Sequence, residues 1–158
     1  MSLNIQIVAI GTRMPSWIES GVNEYLKRIP RGVNLTITEI SSGERGKGRS
    51  ANSARETEAK LILDKIAGID RIIALDERGS GFSTKKLATS LEDLQMQSMS
   101  LAFVIGGPDG LSSQVLDRVN MTWSLSKMTF PHALVRVILV EQIYRALMIN
   151  ANHPYHRE

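Results

Sequence analysis

Apolar positions along the chain switch between short continuous runs and helical spacing. Leu3 to Ile10 is a β-branched apolar run closed by Gly11-Thr12, which predicts a buried strand and a turn. Ile18, Val22, Tyr25, Leu26 and Ile29 recur every three to four residues between Pro15 and Pro30, so a helix bounded by the two prolines should follow. Val33 to Ile40, apolar at Leu35, Ile37 and Ile40, predicts a second strand. The segment SSGERGKGRS, Ser41 to Ser50, has no apolar period and is rich in glycine, serine and cations, which predicts a mobile loop. Ser53 and Glu56 have capping-box spacing ahead of Ala59, Leu61, Ile62 and Ile66, and this predicts the start of another helix.

The alternation continues to the end of the chain. Arg71 to Leu75 is a third strand ending in Asp76-Glu77-Arg78-Gly79, and Ser83 is the expected cap of a helix carrying Leu87, Leu91 and Leu94. Leu101 to Ile105 is a strand ended by Gly106-Gly107-Pro108-Asp109-Gly110. A short helix over Leu111 to Val119, a last strand over Met121 to Leu125 and a long helix from His132 to about Asn150 complete the pattern. Glu141 and Arg145 in that last helix are spaced for an i,i+4 ion pair. The tail ANHPYHRE is polar and broken by proline.

Strands that are apolar on both faces and alternate with helices specify an α/β fold, a mostly parallel sheet covered by helices on both faces. The length of 158 residues suits a single domain over 1–158, with neither an internal repeat nor a linker. Ligands in such sheets bind outside the carboxyl ends of the strands. The loops at Asp76, Gly106 and Ser126 are therefore the expected walls of a site.

Composition narrows the chemistry. The absence of cysteine excludes a disulfide framework, a thiolate nucleophile and a cysteine-based zinc site, and it suits a reducing compartment. A formal charge of +3 is compatible with a polyanionic partner. The N-terminus lacks a signal peptide's basic and long apolar regions, and the most apolar later stretch, Ala133 to Val140, is short and interrupted by Arg136. A soluble, cytoplasmic protein without a membrane segment is expected. Gly46-Lys47 is followed by Gly48 and not by serine or threonine, so the basic loop is no P-loop. Neither G-x-G-x-x-G after a strand nor G-x-S-x-G occurs. His153 and His156 lack a third clear ligand, and no metal is expected.

Several residues can carry polar chemistry or plain architecture. Gly106 to Gly110 is either an ordinary Pro-Asp-Gly turn or a place where backbone approaches a ligand. Ser124 to His132, SLSKMTFPH, offers backbone groups in an extended path, and His132 can cap the helix that it opens. Arg136 lies among Leu134, Val135, Val137 and Ile138, where a guanidinium needs an anionic partner or a site to face. Because this helix is apolar on nearly every side, a second subunit is expected to pack on it, giving a homodimer.

Taken together the motifs resemble one family. GT-x-MP (Gly11, Thr12, Met14, Pro15), LD (Leu75, Asp76), IGGP-x-G (Ile105 to Gly110), WSLS (Trp123 to Ser126), PH-x-LVRV (Pro131 to Val137), EQ-x-YRA (Glu141 to Ala146) and NHPYHRE (Asn152 to Glu158) span the chain. In this order they resemble the SPOUT methyltransferases specific for N3 of a pseudouridine in large-subunit (23S) ribosomal RNA. The resemblance implies an α/β fold with a C-terminal trefoil knot, a homodimer, and S-adenosylmethionine held by Leu75 with Asp76, by Gly106 with Gly107, and by Ser126, Lys127, Met128, Thr129, Phe130 and Pro131. Its substrate would be large-subunit rRNA or the assembled ribosome. The chain departs from the family at Phe130 and Ala133, where leucine and proline flank the Pro-His pair, and at Lys127, where a small apolar residue is usual; altered cofactor affinity is the expected consequence.

Methyl transfer to N3, an imide nitrogen, requires removal of its proton. In the implied site His132 handles that proton, Arg157 stabilises negative charge, and Tyr155 and His156 contact the nucleoside. Arg136 holds RNA phosphate or the tail, and Arg45, Lys47 and Arg49 of the basic loop are further phosphate contacts. The rival reading is a non-catalytic RNA- or ribosome-binding module in which the basic loop and tail grip phosphate while the glycine turns only shape the fold. A third is an enzyme using another adenosine-containing cofactor. Specific cofactor binding separates these.

Overall fold

The structure, a computed structural model, describes residues 2–43 and 50–156. Five strands, β1 (Leu3–Ile10), β2 (Val33–Ile40), β3 (Arg71–Gly81), β4 (Leu101–Ile105) and β5 (Met121–Ser124), form one sheet in the order β2-β1-β4-β3-β5. Every neighbouring pair is parallel. The helices are α1 (Ser16–Leu26), α2 (Ala51–Ile66), α3 (Thr84–Met96), the single turn α4 (Ser113–Leu116) and α5 (His132–Asn150), followed by a 3-10 turn over Pro154–His156.

Side-chain alternation divides the core between the two faces of the sheet. Leu3, Ile5, Ile7 and Ala9 of β1, Ile73 and Leu75 of β3, and Leu101, Phe103 and Ile105 of β4 pack against α1, α3 and α5. Val8, Ile10, Ile72, Ala74, Ala102 and Val104 pack on the other face against α2 and the Leu111 to Val115 segment. Central β4 is buried at all five positions, which is why its sequence reads as an unbroken apolar run. Each fully buried leucine, isoleucine or phenylalanine contributes about 1.5–3 kcal/mol of hydrophobic stabilisation. Among the described residues no helix is long and apolar enough to cross a membrane.

Strands β1, β2 and β4 and helix α5 have the bounds that patterning predicts. Elsewhere local chemistry moves the boundaries. α1 stops at Leu26, because the turn through Arg28 and Ile29 intervenes before Pro30. The expected capping box at Ser53 is not the cap of α2: Ser50 is, its hydroxyl accepting from the Ser53 N–H at 3.0 Å. α3 is capped as predicted, Ser83 Oγ accepting from the Lys86 N–H. The helix expected over Leu111 to Val119 is only one turn, opened by Ser112.

The largest departure lies in β3, which does not end at Leu75. Leu75 and Ser80 both face Trp123 of β5, so the residues between them are looped out before pairing resumes at Ser80 and Gly81. Glycine is required at position 79, where a Cβ would stand 2.6 Å from the carbonyl oxygen of Thr122. Phe82 then stacks on Trp123 with ring centroids 4.2 Å apart and fixes the return of the strand.

Candidate functional site

The connections that leave β3 and β4 run on opposite faces of the sheet, α3 on the face of α1 and α5, and α4 on the face of α2. That divergence opens a crevice at the carboxyl ends of the two strands. A cavity of about 570 Å³ lies there, within the range of about 300–1,000 Å³ that small-ligand sites occupy. Three strand ends wall it: Leu75 to Arg78 after β3, Ile105 to Gly110 after β4, and Ser124 to Ser126 with Met128 to Pro131 after β5. His132 and Val135 of α5 and Arg55 of α2 complete the wall.

Each loop is held in shape by its own polar groups. The Asp76 side chain is only 8% exposed and accepts from the Arg78 backbone N–H at 2.9 Å and from its guanidinium at 3.2 Å. Burial pushes the Asp76 carboxyl up, but the hydrogen bonds from Arg78 outweigh it and hold the group below its ordinary value. After β4 the chain makes the Pro-Asp-Gly turn, Gly110 N–H donating to Gly107 at 3.0 Å. That turn is also a wall of the cavity, so the two readings of this motif are compatible. It closes tightly: a Cβ on Gly106 would stand 2.8 Å from the Gly110 backbone. In the third loop Ser124 Oγ donates to the Ser126 carbonyl at 2.8 Å, and Ser126 Oγ accepts from the Met128 N–H at 2.9 Å. Thr129 Oγ1 donates to Glu77 Oε2 at 3.0 Å and so ties the third loop to the first.

His132 is the first residue of α5, whose N-cap is Pro131 and which has no side-chain cap. The imidazole is therefore not the cap that a histidine at a helix start can be, and it contributes to the cavity wall. The cavity thus unites Leu75, Asp76, Gly106, Gly107, Ser126, Met128, Thr129, Phe130, Pro131 and His132.

Other expected site residues have different employment. Lys127 is exposed and outside the cavity wall, which explains how a long cation is accommodated there. Arg136 is 3% exposed. Its guanidinium donates to Glu39 and to the carbonyls of Ile10 and Gly11 at 3.2 and 2.7 Å, clamping α5 to the ends of β1 and β2. It has the anionic partner that its apolar setting demands.

Tyr155 is likewise not at the cavity of its own chain. Its hydroxyl donates to Glu141 at 3.2 Å, its ring meets Tyr144 edge-on at 4.7 Å, and the Arg145 guanidinium lies 4.9 Å from its ring centre. Burial, helped by the Tyr25 hydroxyl and the Glu141 carboxylate, pushes the Tyr155 phenol up to about 12. Glu141 stands nine residues beyond His132 on α5, a rise of about 13 Å. His156 closes the 3-10 turn, while Arg157, Arg45, Lys47 and Arg49 lie outside the described residues. Sequence patterning did not single out Arg55, Glu77 or Arg78 as parts of the wall; only the last two carry a signal, by following a strand end.

Comparison with known proteins agrees with this geometry. A family model described as predicted SPOUT methyltransferase matches residues 3–156. The ribosomal RNA large subunit methyltransferase H of Chromohalobacter salexigens is 44% identical over 155 residues, covering 98% of this chain and 100% of that protein. The protein of the same name from Legionella pneumophila (strain Paris) is 46% identical over 155 residues, 98% of this chain and 99% of that one. Among solved structures, a probable methylase family protein from Haemophilus influenzae Rd KW20 shares the fold with a TM-score of 0.59 at 15% identity, over 95% of this chain and 69% of that chain. A probable methyltransferase from Bordetella pertussis Tohama I aligns with a TM-score of 0.58 at 11% identity, over 90% of this chain and 95% of the other. With a parallel sheet, a cavity walled by three strand ends and a family match along almost its whole length, the chain belongs to the SPOUT methyltransferases.

Proposed function

We propose that this protein transfers a methyl group from S-adenosylmethionine to N3 of a pseudouridine in large-subunit ribosomal RNA, on the assembled ribosome or its large subunit in the cytoplasm. The observation that carries the reading is the cavity at the ends of β3, β4 and β5, which brings ten of the expected cofactor and proton-handling residues to one place. Its volume and its backbone-rich walls fit an adenosine-containing ligand. The two relatives named above, nearly full-length matches, carry names that specify large-subunit rRNA.

When bound, S-adenosylmethionine supplies an electrophilic methyl group on sulfur. The loops at Leu75, Gly107 and Ser126 to Pro131 fix its orientation, so that N3 of the base can approach in line with the methyl carbon. His132 at the cavity rim takes the N3 proton, and Arg157 offsets the negative charge that develops on the imide. His156 contacts the nucleoside. Tyr155 anchors the tail, and the tail serves the cavity of a second subunit, because its anchorage on α5 is about 13 Å along the helix from its own His132.

The dimer belongs to the same proposal. α1 and α3 already cover much of α5, so its apolarity is largely explained within one subunit. Leu134 and Ile138, one turn apart and half-buried, pack into neither core cluster, and Trp17 on neighbouring α1 is 62% exposed. These are the residues that a second copy would cover. The C-terminal trefoil knot is proposed on membership of the SPOUT methyltransferases.

Incubation of the protein and labelled S-adenosylmethionine with large subunits lacking the modification, followed by mapping of the labelled nucleoside, tests cofactor, substrate and atom together. Label on N3 of one pseudouridine is expected. Cofactor binding without transfer to any large-subunit RNA would refute the substrate, and failure to bind the cofactor would leave the RNA-binding module as the reading.

A further inference from the structure

Two arginines stand in the cavity wall, and they differ in what holds them. Arg78 is tied to Asp76 through its Nε and Nη2. Arg55 makes a hydrogen bond to Asn52 through one guanidinium nitrogen, its Nε is buried without an acceptor, and the described residues give it no salt bridge. A buried N–H left unpaired is costly, and a planar guanidinium with donors to spare suits a bidentate oxyanion. Arg136 also has an unpaired Nε, but its other nitrogens already meet a carboxylate and two carbonyls. Among the described residues Arg55 has only the amide of Asn52, three positions earlier in the same helix.

Position identifies the anion. Arg55 comes from α2, on the sheet face opposite α5, so it faces the cavity from the side away from His132. None of the three strand-end loops assigned to the cofactor contributes it. A nucleotide whose base enters between the faces brings its own phosphates to the rim, and the positive end of α2 adds to the attraction. We propose that Arg55 grips a backbone phosphate of the substrate RNA beside the target nucleotide, from the rim of the cavity. The inference rests on the proposed RNA methyl transfer.

Arg55→Gln and Arg55→Lys, each checked for unchanged thermal unfolding, test it with two ligands measured separately. Titration calorimetry with S-adenosylmethionine should give affinities within about twofold of the wild type. Sedimentation binding to unmodified large subunits should weaken about tenfold for Arg55→Gln and less for Arg55→Lys, which keeps the charge and loses the fork. The slope of log K against log salt should fall by about one phosphate contact. On unmodified large subunits KM should rise with kcat preserved. Wild-type large-subunit affinity and salt slope in Arg55→Gln would overturn the assignment, and loss of cofactor affinity with large-subunit binding intact would reassign Arg55 to the cofactor carboxylate. Wild-type protein that binds large subunits without methylating them would instead count against the proposed function.

Discussion

The Tyr155 hydroxyl donates to Glu141 at 3.2 Å, so the tail is pinned to the middle of α5 and not to the helix start where the cavity lies. This pin is a positioning device, and its pH dependence follows from the raised phenol. A folded-state value of about 12 lies above the ordinary value of 10, so the docked tail binds the proton more tightly than the free one. Its contribution is fully present below pH 10 and is lost as the pH rises through about 12. Ultraviolet titration should show one late tyrosine that Tyr155→Phe removes. A Tyr155 component, taken as the difference from Tyr155→Phe, with its midpoint near pH 10 would show that the tail is not docked.

Glycines 79 and 107 should separate fold from site. Gly79→Val forces a side chain against the Thr122 carbonyl and should cost about 2–3 kcal/mol in chemical denaturation. Gly107 is a wall of the cavity, so Gly107→Leu should leave a folded protein and abolish S-adenosylmethionine binding by calorimetry. Unchanged cofactor affinity in that variant would place the site elsewhere.

Arg136→Ala removes the partner of Glu39 and the donor to two strand-end carbonyls. Glu39 is itself exposed and stays solvated, so the loss is mainly that of the buried arginine and its bonds to the two carbonyls; it should destabilise the protein by about 1–3 kcal/mol, read as a lower denaturation midpoint at unchanged m-value. At temperatures where the variant is folded its rRNA affinity should match the wild type. Weakened RNA binding without loss of stability would restore the phosphate role.

What could be read from the residues depends on how far apart the interacting partners are. Strands such as β4 were legible because burial on both faces writes an apolar run directly into the sequence. The need of Arg136 for an anion was legible too, but not its identity, since Glu39 lies 97 positions away and reaches it only through the sheet. The bulge in β3 depends on pairing with Trp123, so nothing local to Asp76-Glu77-Arg78-Gly79 announces that the strand resumes. Arg55 had no signal at all: a cation near the start of a polar helix looks like a solvated face. The backbone loops of the site were found through a resemblance and through strand ends, and the structure brings them to one cavity.

Among the described residues, deleting 155–158 removes no strand, no long helix and no part of the cavity wall, so stability and S-adenosylmethionine binding should be nearly intact while methyl transfer collapses. Full activity of the truncated protein would remove the tail from the mechanism. If each tail serves the neighbouring cavity, defects in tail and cofactor site are complementary. A chain carrying Arg157→Ala keeps a sound cofactor cavity, and a chain carrying Gly107→Leu keeps a sound tail. Each homodimer should be inactive. In their heterodimer the sound tail reaches the sound cavity, so verified heterodimers should recover about half of the wild-type kcat, with one competent site of two. A tail acting within its own chain predicts the opposite, because then every site in the heterodimer retains one defect and activity stays at the level of the parent homodimers.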